Sequence, residues 1–228
     1  MNGKIEFEKI DTLGLNLKNF LEEVKKNYRP FDPGNYLYKK LMAIPFDDYY
    51  SKNHLELIYV TLSAWNMNSR GAKLSEFEDF CGSIISKKNE IESLRKYECG
   101  KIKAFEIPEI LAQIEQLFSS LKLVGTNKNG KEKPRLVTFS KTMHFLLPNL
   151  FMPIDRTYTL RFFYNNTNVP QKIAKQFEKH NQIFLAANLF AQKHNLTQYL
   201  DTKWNLNKPK IIDNLIIGHQ RLQRKGKK

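Results

Sequence analysis

Cysteine is scarce in this chain, and with it the means to build several classes of fold. Cys81 and Cys99 are the only two. They are too few for a disulfide framework, and neither has a His or Cys neighbour at zinc-ligand spacing. No segment approaches the ~20 consecutive apolar residues of a membrane span. The start, MNGKIEFEKIDTLG, lacks the apolar stretch of an export signal. These absences predict a cytoplasmic protein held by its hydrophobic core, without metal and without membrane contact. Period-two alternation is confined to scraps, so strands are not expected. Acidic residues are also short, with 23 Asp plus Glu against 37 Lys plus Arg and a formal net charge of +14. An excess of that size favours an anionic partner, of which nucleic acid is the commonest.

What is present is helical. Leu17, Phe20, Leu21 and Val24 fall on one helical face, ended by Arg29-Pro30 and Asp32-Pro33-Gly34. A short helix is predicted over Asn35 to Ala43. A longer one starts from Ser51 as N-cap, carries Leu55, Ile58, Tyr59, Leu62 and Trp65, and stops near Ser69-Arg70-Gly71. Further helices are predicted over Leu74 to Ser86, Asn89 to Tyr97, Pro108 to Leu121, Val137 to Leu147, Arg156 to Tyr164, Val169 to His194 and Pro209 to about Leu222. Lys122 to Arg135, with Gly125, Asn129-Gly130 and Pro134, reads as a loop or small hairpin. The last eight residues, RLQRKGKK, read as a solvated basic tail. The expected class is mostly α: one globular unit over 1–220 of two helical lobes, a central one at about 72–150 and one from the terminal helices.

The chemistry concentrates in KPRLVTFSKTMHFLLPNLFMPIDRTYTLRFF, Lys133 to Phe163. Lys141 is expected in or near the first turn of its helix, where the dipole disfavours a cation. Desolvation there would lower its pKa further and make it an amine nucleophile. His144 shares its face. Pro148 and Pro153 forbid helix continuation and deliver Asp155 as the N-cap of the next helix. Phe151, Met152 and Ile154 form an apolar cuff around it, a setting where a carboxylate can polarise water or stabilise a developing cation. Each residue also has a plain structural reading: Lys141 solvated, His144 hydrogen-bonded in the core, Asp155 a helix cap. The loop cations Lys122, Lys128, Lys131, Lys133 and Arg135 lead into this helix and suit phosphates, or simply solvent. Trp65, Asn66 and Asn68 combine a flat ring with two amides, suited to stacking on and reading a base, or to core and capping roles. His54, His180, His194 and His219 show no pairing that would bind a metal.

Lys141, the apolar helix around it, and Pro153-Ile154-Asp155-Arg156-Thr157-Tyr158 resemble the helix-hairpin-helix DNA glycosylases. The likeness covers this one stretch within an all-helical surround. It implies a two-lobed helical fold and a monomer that acts on double-stranded DNA without metal or organic cofactor, flipping a base out of the stack. By the same resemblance Asp155 stabilises an oxocarbenium-like sugar and Lys141 is the candidate Schiff-base nucleophile. Trp65, Asn66, Asn68 and His144 would line the base pocket, and Lys128, Lys131, Lys133, Arg135, Arg156 and Arg161 would meet the DNA. The family's glycine hairpin is replaced by Leu136-Val137-Thr138-Phe139-Ser140, which leaves the nucleophile role open and carries Asp155 over more directly. Hairpin-poor relatives in bacterial defence suggest, as one substrate, a bulky phage-modified cytosine such as glucosylated hydroxymethylcytosine. A DNA-binding or scaffold protein that keeps the fold without chemistry is the principal rival. A helical ribonuclease with an arginine shortly before a histidine is disfavoured, because no histidine here has one.

Overall fold

A computed structural model of the chain describes residues 8–27, 32–67 and 73–226. Helix makes up 67% of the chain and no strand forms among the described residues, which fixes the class as all-α. The helices are α1 (Glu8–Asp11), α2 (Leu17–Lys26), α3 (Pro33–Met42), α4 (Lys52–Ala64), α5 (Phe77–Ser86), α6 (Lys88–Ser93), α7 (Ile107–Ser120), α8 (Leu136–Leu146), α9 (Arg161–Tyr164), α10 (Ile173–Lys193) and α11 (Lys208–Lys225). The starts of α3, α4 and α11 carry side-chain caps. Asp32 accepts from the Asn35 amide at 2.8 Å and Ser51 from the His54 amide at 3.2 Å. Asn207 accepts from the Lys210 amide at 2.9 Å, just ahead of Pro209 in the first turn. Each such cap contributes about 1 kcal/mol.

Where boundaries differ from the sequence pattern, backbone pairing explains the shift. α5 starts at Phe77 because Leu74 is taken up in an antiparallel bridge to Val124, with Ser75 N bonded to Leu123 O at 3.3 Å. α10 starts at Ile173, past Pro170, since a residue preceding proline is pushed out of the helical region. α11 runs to Lys225, so most of the expected basic tail is helical, and Lys225 Nζ lies 2.6 Å from Glu23 Oε1 on α2. The breaks read at Arg29-Pro30 and Ser69-Arg70-Gly71 lie outside the described residues.

Two packing features position the site. α2 and α11 form the most extensive helix pair. Gly218 permits it, because a Cβ there would stand 2.0 Å from the Phe20 carbonyl oxygen. α8 is the central helix: all 11 of its residues are buried, with α4 and α10 packed against it. A helix buried all round is ordinarily apolar, yet α8 carries Thr138, Ser140, Lys141, Thr142 and His144. The buried residues of the terminal helices and those around α8 belong to one continuous apolar cluster.

Gly218→Ala is expected to force α2 from α11 and to destabilise the protein by about 1–3 kcal/mol, the usual cost of overpacking. Urea unfolding of the variant beside wild type measures it.

Candidate active site

α8 spends its buried polar groups on the chain that follows it. Pro148 and Pro153 keep residues 151–154 out of a helix, and two α8 side chains pin that segment. Ser140 Oγ accepts from the Ile154 amide at 3.0 Å, and His144 Nδ1 bonds the Phe151 carbonyl oxygen at 2.6 Å. The second bond has a defined polarity. The Phe151 carbonyl oxygen can only accept, so His144 Nδ1 carries the proton, and Nε2 of the neutral ring accepts at 2.8 Å from the Tyr38 hydroxyl, which itself accepts from Asn207 Nδ2 at 3.1 Å. Burial pushes the His144 pKa down to about 3, consistent with this neutral tautomer. His144, expected in a base pocket, is thus wholly buried and engaged through both nitrogens. It positions the segment and touches no open space.

Asp155 emerges at the end of the tethered segment as a cap. Its Oδ1 accepts from the Thr157 amide at 2.7 Å and the Tyr158 amide at 2.9 Å, and its own amide donates to Thr159 Oγ1 at 3.0 Å. Oδ2 makes no hydrogen bond among the described residues. The turn it opens, Arg156–Leu160, is π-helical, closed by Leu160 N on Asp155 O at 2.9 Å. Such widened turns recur at functional sites.

Lys141 lies one residue beyond the Ser140 tether. The helix begins at Leu136, so Lys141 is in its second turn, and the expected dipole effect gives way to burial. The side chain is 5% exposed, with Nζ 3.4 Å from the Trp65 carbonyl oxygen and 5.3 Å from the Trp65 ring centroid. Desolvation lowers its pKa, reinforced by the Lys210 charge and opposed by the carboxylates of Asp155 and Asp213. Lys210 and Asp213 form a buried ion pair at 2.6 Å, and Lys210 Nζ sits 5.5 Å from the same indole. Burial raises the Asp213 pKa against the pull of Lys210, and the Asp155 charge raises it further. Trp65 is held between the Nζ atoms of Lys141 and Lys210, by Phe145 edge-on at 5.0 Å, and by a bond from Nε1 to the Gly34 carbonyl oxygen at 3.2 Å.

Asp155 opens onto a cleft of about 760 Å³. Trp65, Asn66 and Met67 line it from the end of α4, Val137 and Thr138 from α8, and Arg156, Thr157 and Arg161 from the π turn and α9. Asn127, Glu132, Lys133 and Pro134 line it from the loop before α8. That loop is a hairpin, with Thr126 bridged to Glu132 and Asn127 Oδ1 accepting from the amides of Asn129 and Lys131. Gly130 turns it at φ 72°. Lys128 and Lys131 are exposed at its tip.

Arg135 is a correction. It is 6% exposed, its guanidinium donates to the carbonyl oxygens of Phe118 and Ser119 in the last turn of α7, and it pairs with Glu132. It caps α7 and anchors the hairpin, so it is unavailable to phosphate. Of the other expected site residues, Asp155, Trp65, Asn66, Lys133, Arg156 and Arg161 converge on the cleft, Lys141 stands behind Trp65, and Asn68 lies outside the described residues. Sequence reasoning misses Ser140, Lys210 and Asp213, although a serine inside an apolar helix is a signal that its hydroxyl has a local partner. Among the described residues no group of three His, Cys, Asp or Glu is placed to hold a metal, and no helix is long and apolar enough to cross a membrane. Comparison with family models, with curated proteins and with solved structures gave no match.

Two outcomes follow from the buried polar groups. Ser140→Ala leaves the Ile154 amide unpaired and should cost about 1–3 kcal/mol, read by urea denaturation. His144, His180 and His54 are held by burial at about 3, 4 and 4. They are uncharged in both folded and unfolded chains above pH 7. As pH falls from about 6.5 toward 4 only the unfolded chain takes up their protons, so stability falls. His180 sits among the rings of Phe118, Phe139, Phe151, Phe177 and Phe184. His180→Leu should therefore flatten the acid limb of the urea midpoint against pH.

Proposed function

We propose that this chain is a DNA glycosylase-like enzyme that binds double-stranded DNA, takes a flipped base into the cleft and breaks its N-glycosidic bond with the help of Asp155. The observation that carries the reading is the seat of Asp155: a carboxylate fixed by two backbone amides, on a segment pinned to a buried helix, at the wall of a cleft that also bears Lys133, Arg156 and Arg161. The chemistry suits that seat. As the bond from C1′ to the base nitrogen lengthens, positive charge grows on the sugar, and a carboxylate already oriented by amides stabilises it without reorganising. The base leaves with the bonding electrons, and a nucleophile adds to C1′.

Water polarised by Asp155 is one nucleophile. The Lys141 amine is the other, since burial favours its uncharged form, the form that attacks. In the described arrangement Lys141 stands behind the indole of Trp65, so the amine route requires Trp65 to yield, and water is the simpler choice. The cleft volume falls within the range usual for ligand sites and exceeds what an unmodified pyrimidine fills. Asn66, Asn127, Thr138, Thr157 and Gln171 line it with amides and hydroxyls. These features support a bulky, polar modified base, with glucosylated hydroxymethylcytosine of phage DNA as the leading example and antiphage defence as the setting.

The test incubates the protein with duplexes carrying damaged or phage-type bases and scores free base by mass spectrometry and abasic sites by alkali cleavage. Asp155→Asn keeps a capping oxygen, so it should fold and hold DNA at least as tightly while losing base release by about a hundredfold or more. Release by the variant at the wild-type rate, or wild-type binding with release from no duplex, would replace the enzyme by a DNA-binding protein of the same shape.

A further inference from the structure

The sequence presents the end of the chain as a solvated basic tail, but in the structure it is the last two turns of α11 and its arginines are organised. The Arg221 guanidinium lies 5.9 Å from the centroid of the Tyr158 ring and that of Arg224 lies 5.4 Å from the same ring. Tyr158 is itself fixed. It is half-buried against the core and its amide is one of the two that hold Asp155 Oδ1. The candidate catalytic carboxylate and the platform for two α11 arginines are therefore parts of one turn.

Arg156 and Arg161, from the same turn and from α9, are exposed and line the cleft. Arg156 Nε donates to the Thr167 carbonyl oxygen at 2.9 Å, which fixes its direction. Several lysines elsewhere are matched to acids, as in Lys175 with Glu178, Lys193 with Asp11 and Lys225 with Glu23. Among the described residues Arg156, Arg161, Arg221 and Arg224 have no carboxylate within 4.0 Å. Four guanidiniums without a carboxylate partner, two in or beside the turn and two over its Tyr158 ring, suit an anionic partner.

We propose that Tyr158, Arg221 and Arg224, continued by Arg156 and Arg161, form a phosphate-binding face for one strand of a DNA duplex, and that the face sets where the duplex lies over the Asp155 cleft. An arginine stacked on an aromatic ring is pre-oriented, with its N–H edge left for a phosphate oxygen. Lys133 on the cleft wall, with Lys128 and Lys131 exposed at the tip of the same hairpin, supplies a second grip. A strand held by both passes its sugars across Asp155. The proposal rests on the reading of the cleft for the identity of the partner, but not on base release.

The experiment measures affinity for an unmodified duplex by fluorescence anisotropy over a range of salt concentrations. For Arg221→Ala/Arg224→Ala the slope of log affinity against log salt should shrink by about 0.9 for each phosphate that is no longer neutralised, with affinity at low salt down about tenfold or more. Tyr158→Leu keeps both charges and loses the platform, so affinity should fall while the slope stays near wild type. Lys87→Ala/Lys88→Ala, at the start of α6, removes as much charge elsewhere and should change neither. An unaltered slope and affinity in the arginine double variant overturns the proposal. So does an equal loss in the α6 control, or a preference for RNA of the same length over the duplex. Binding that depends on Arg221 and Arg224 without base release from any DNA would sustain this face and defeat the glycosylase reading. Base release with no such dependence would do the reverse.

Discussion

The two hydrogen bonds from α8 to the chain that follows it fix the segment that carries Asp155 to the wall of the cleft. Ser140 to the Ile154 amide and His144 to the Phe151 carbonyl are made inside the core, where an unmade bond is expensive and a made one is rigid. They convert a proline-interrupted segment into a fixed ledge with Asp155 at its end. Tyr38 from α3 and Asn207 from the start of α11 hold His144 in the required tautomer. Helices from both ends of the chain thus converge on one backbone carbonyl. Loss of that convergence would free the carboxylate to turn, and a carboxylate that turns no longer offers a preorganised charge.

Behind the ledge lies a second polar group, Lys141, Lys210 and Asp213, arranged around the indole of Trp65. Buried ion pairs seldom add stability in proportion to their Coulomb attraction, because desolvation consumes most of it. Their value here is electrical. Lys210 neutralises Asp213 yet adds to the pressure against charge on Lys141, while Asp155 pulls the other way. Lys141 therefore feels the carboxylate that faces the cleft, which opposes the effect of its burial.

Much of this is legible in the residues. Helical periodicity locates α2, α3, α4, α7, α8 and α11 closely, aided by capping side chains at α3, α4 and α11, because both act within a few residues of chain. Asp155 as a cap follows from Pro148, Pro153 and the apolar residues between them by the same local logic. What escapes is set by distance in sequence. His144 reads as a pocket residue until Tyr38 and Asn207 are beside it, and Arg135 reads as a phosphate ligand until the end of α7 supplies two carbonyls. Lys141 has the lowered pKa expected of it, from desolvation without the dipole of the first turn, since α8 begins early enough to place it in the second. Arg221 and Arg224 look like a frayed tail because nothing local announces Tyr158.

The central claim is that Asp155 is complementary to a cationic sugar. The direct measurement compares the affinity of the protein for two duplexes that differ at one residue, a cationic pyrrolidine or a neutral tetrahydrofuran in place of the deoxyribose. Since charge grows only as the glycosidic bond breaks, the account requires tighter binding to the pyrrolidine by about a hundredfold or more, with the preference lost when Asp155 is replaced by Asn. Equal affinity for the two duplexes, or a preference that survives that replacement, would contradict it.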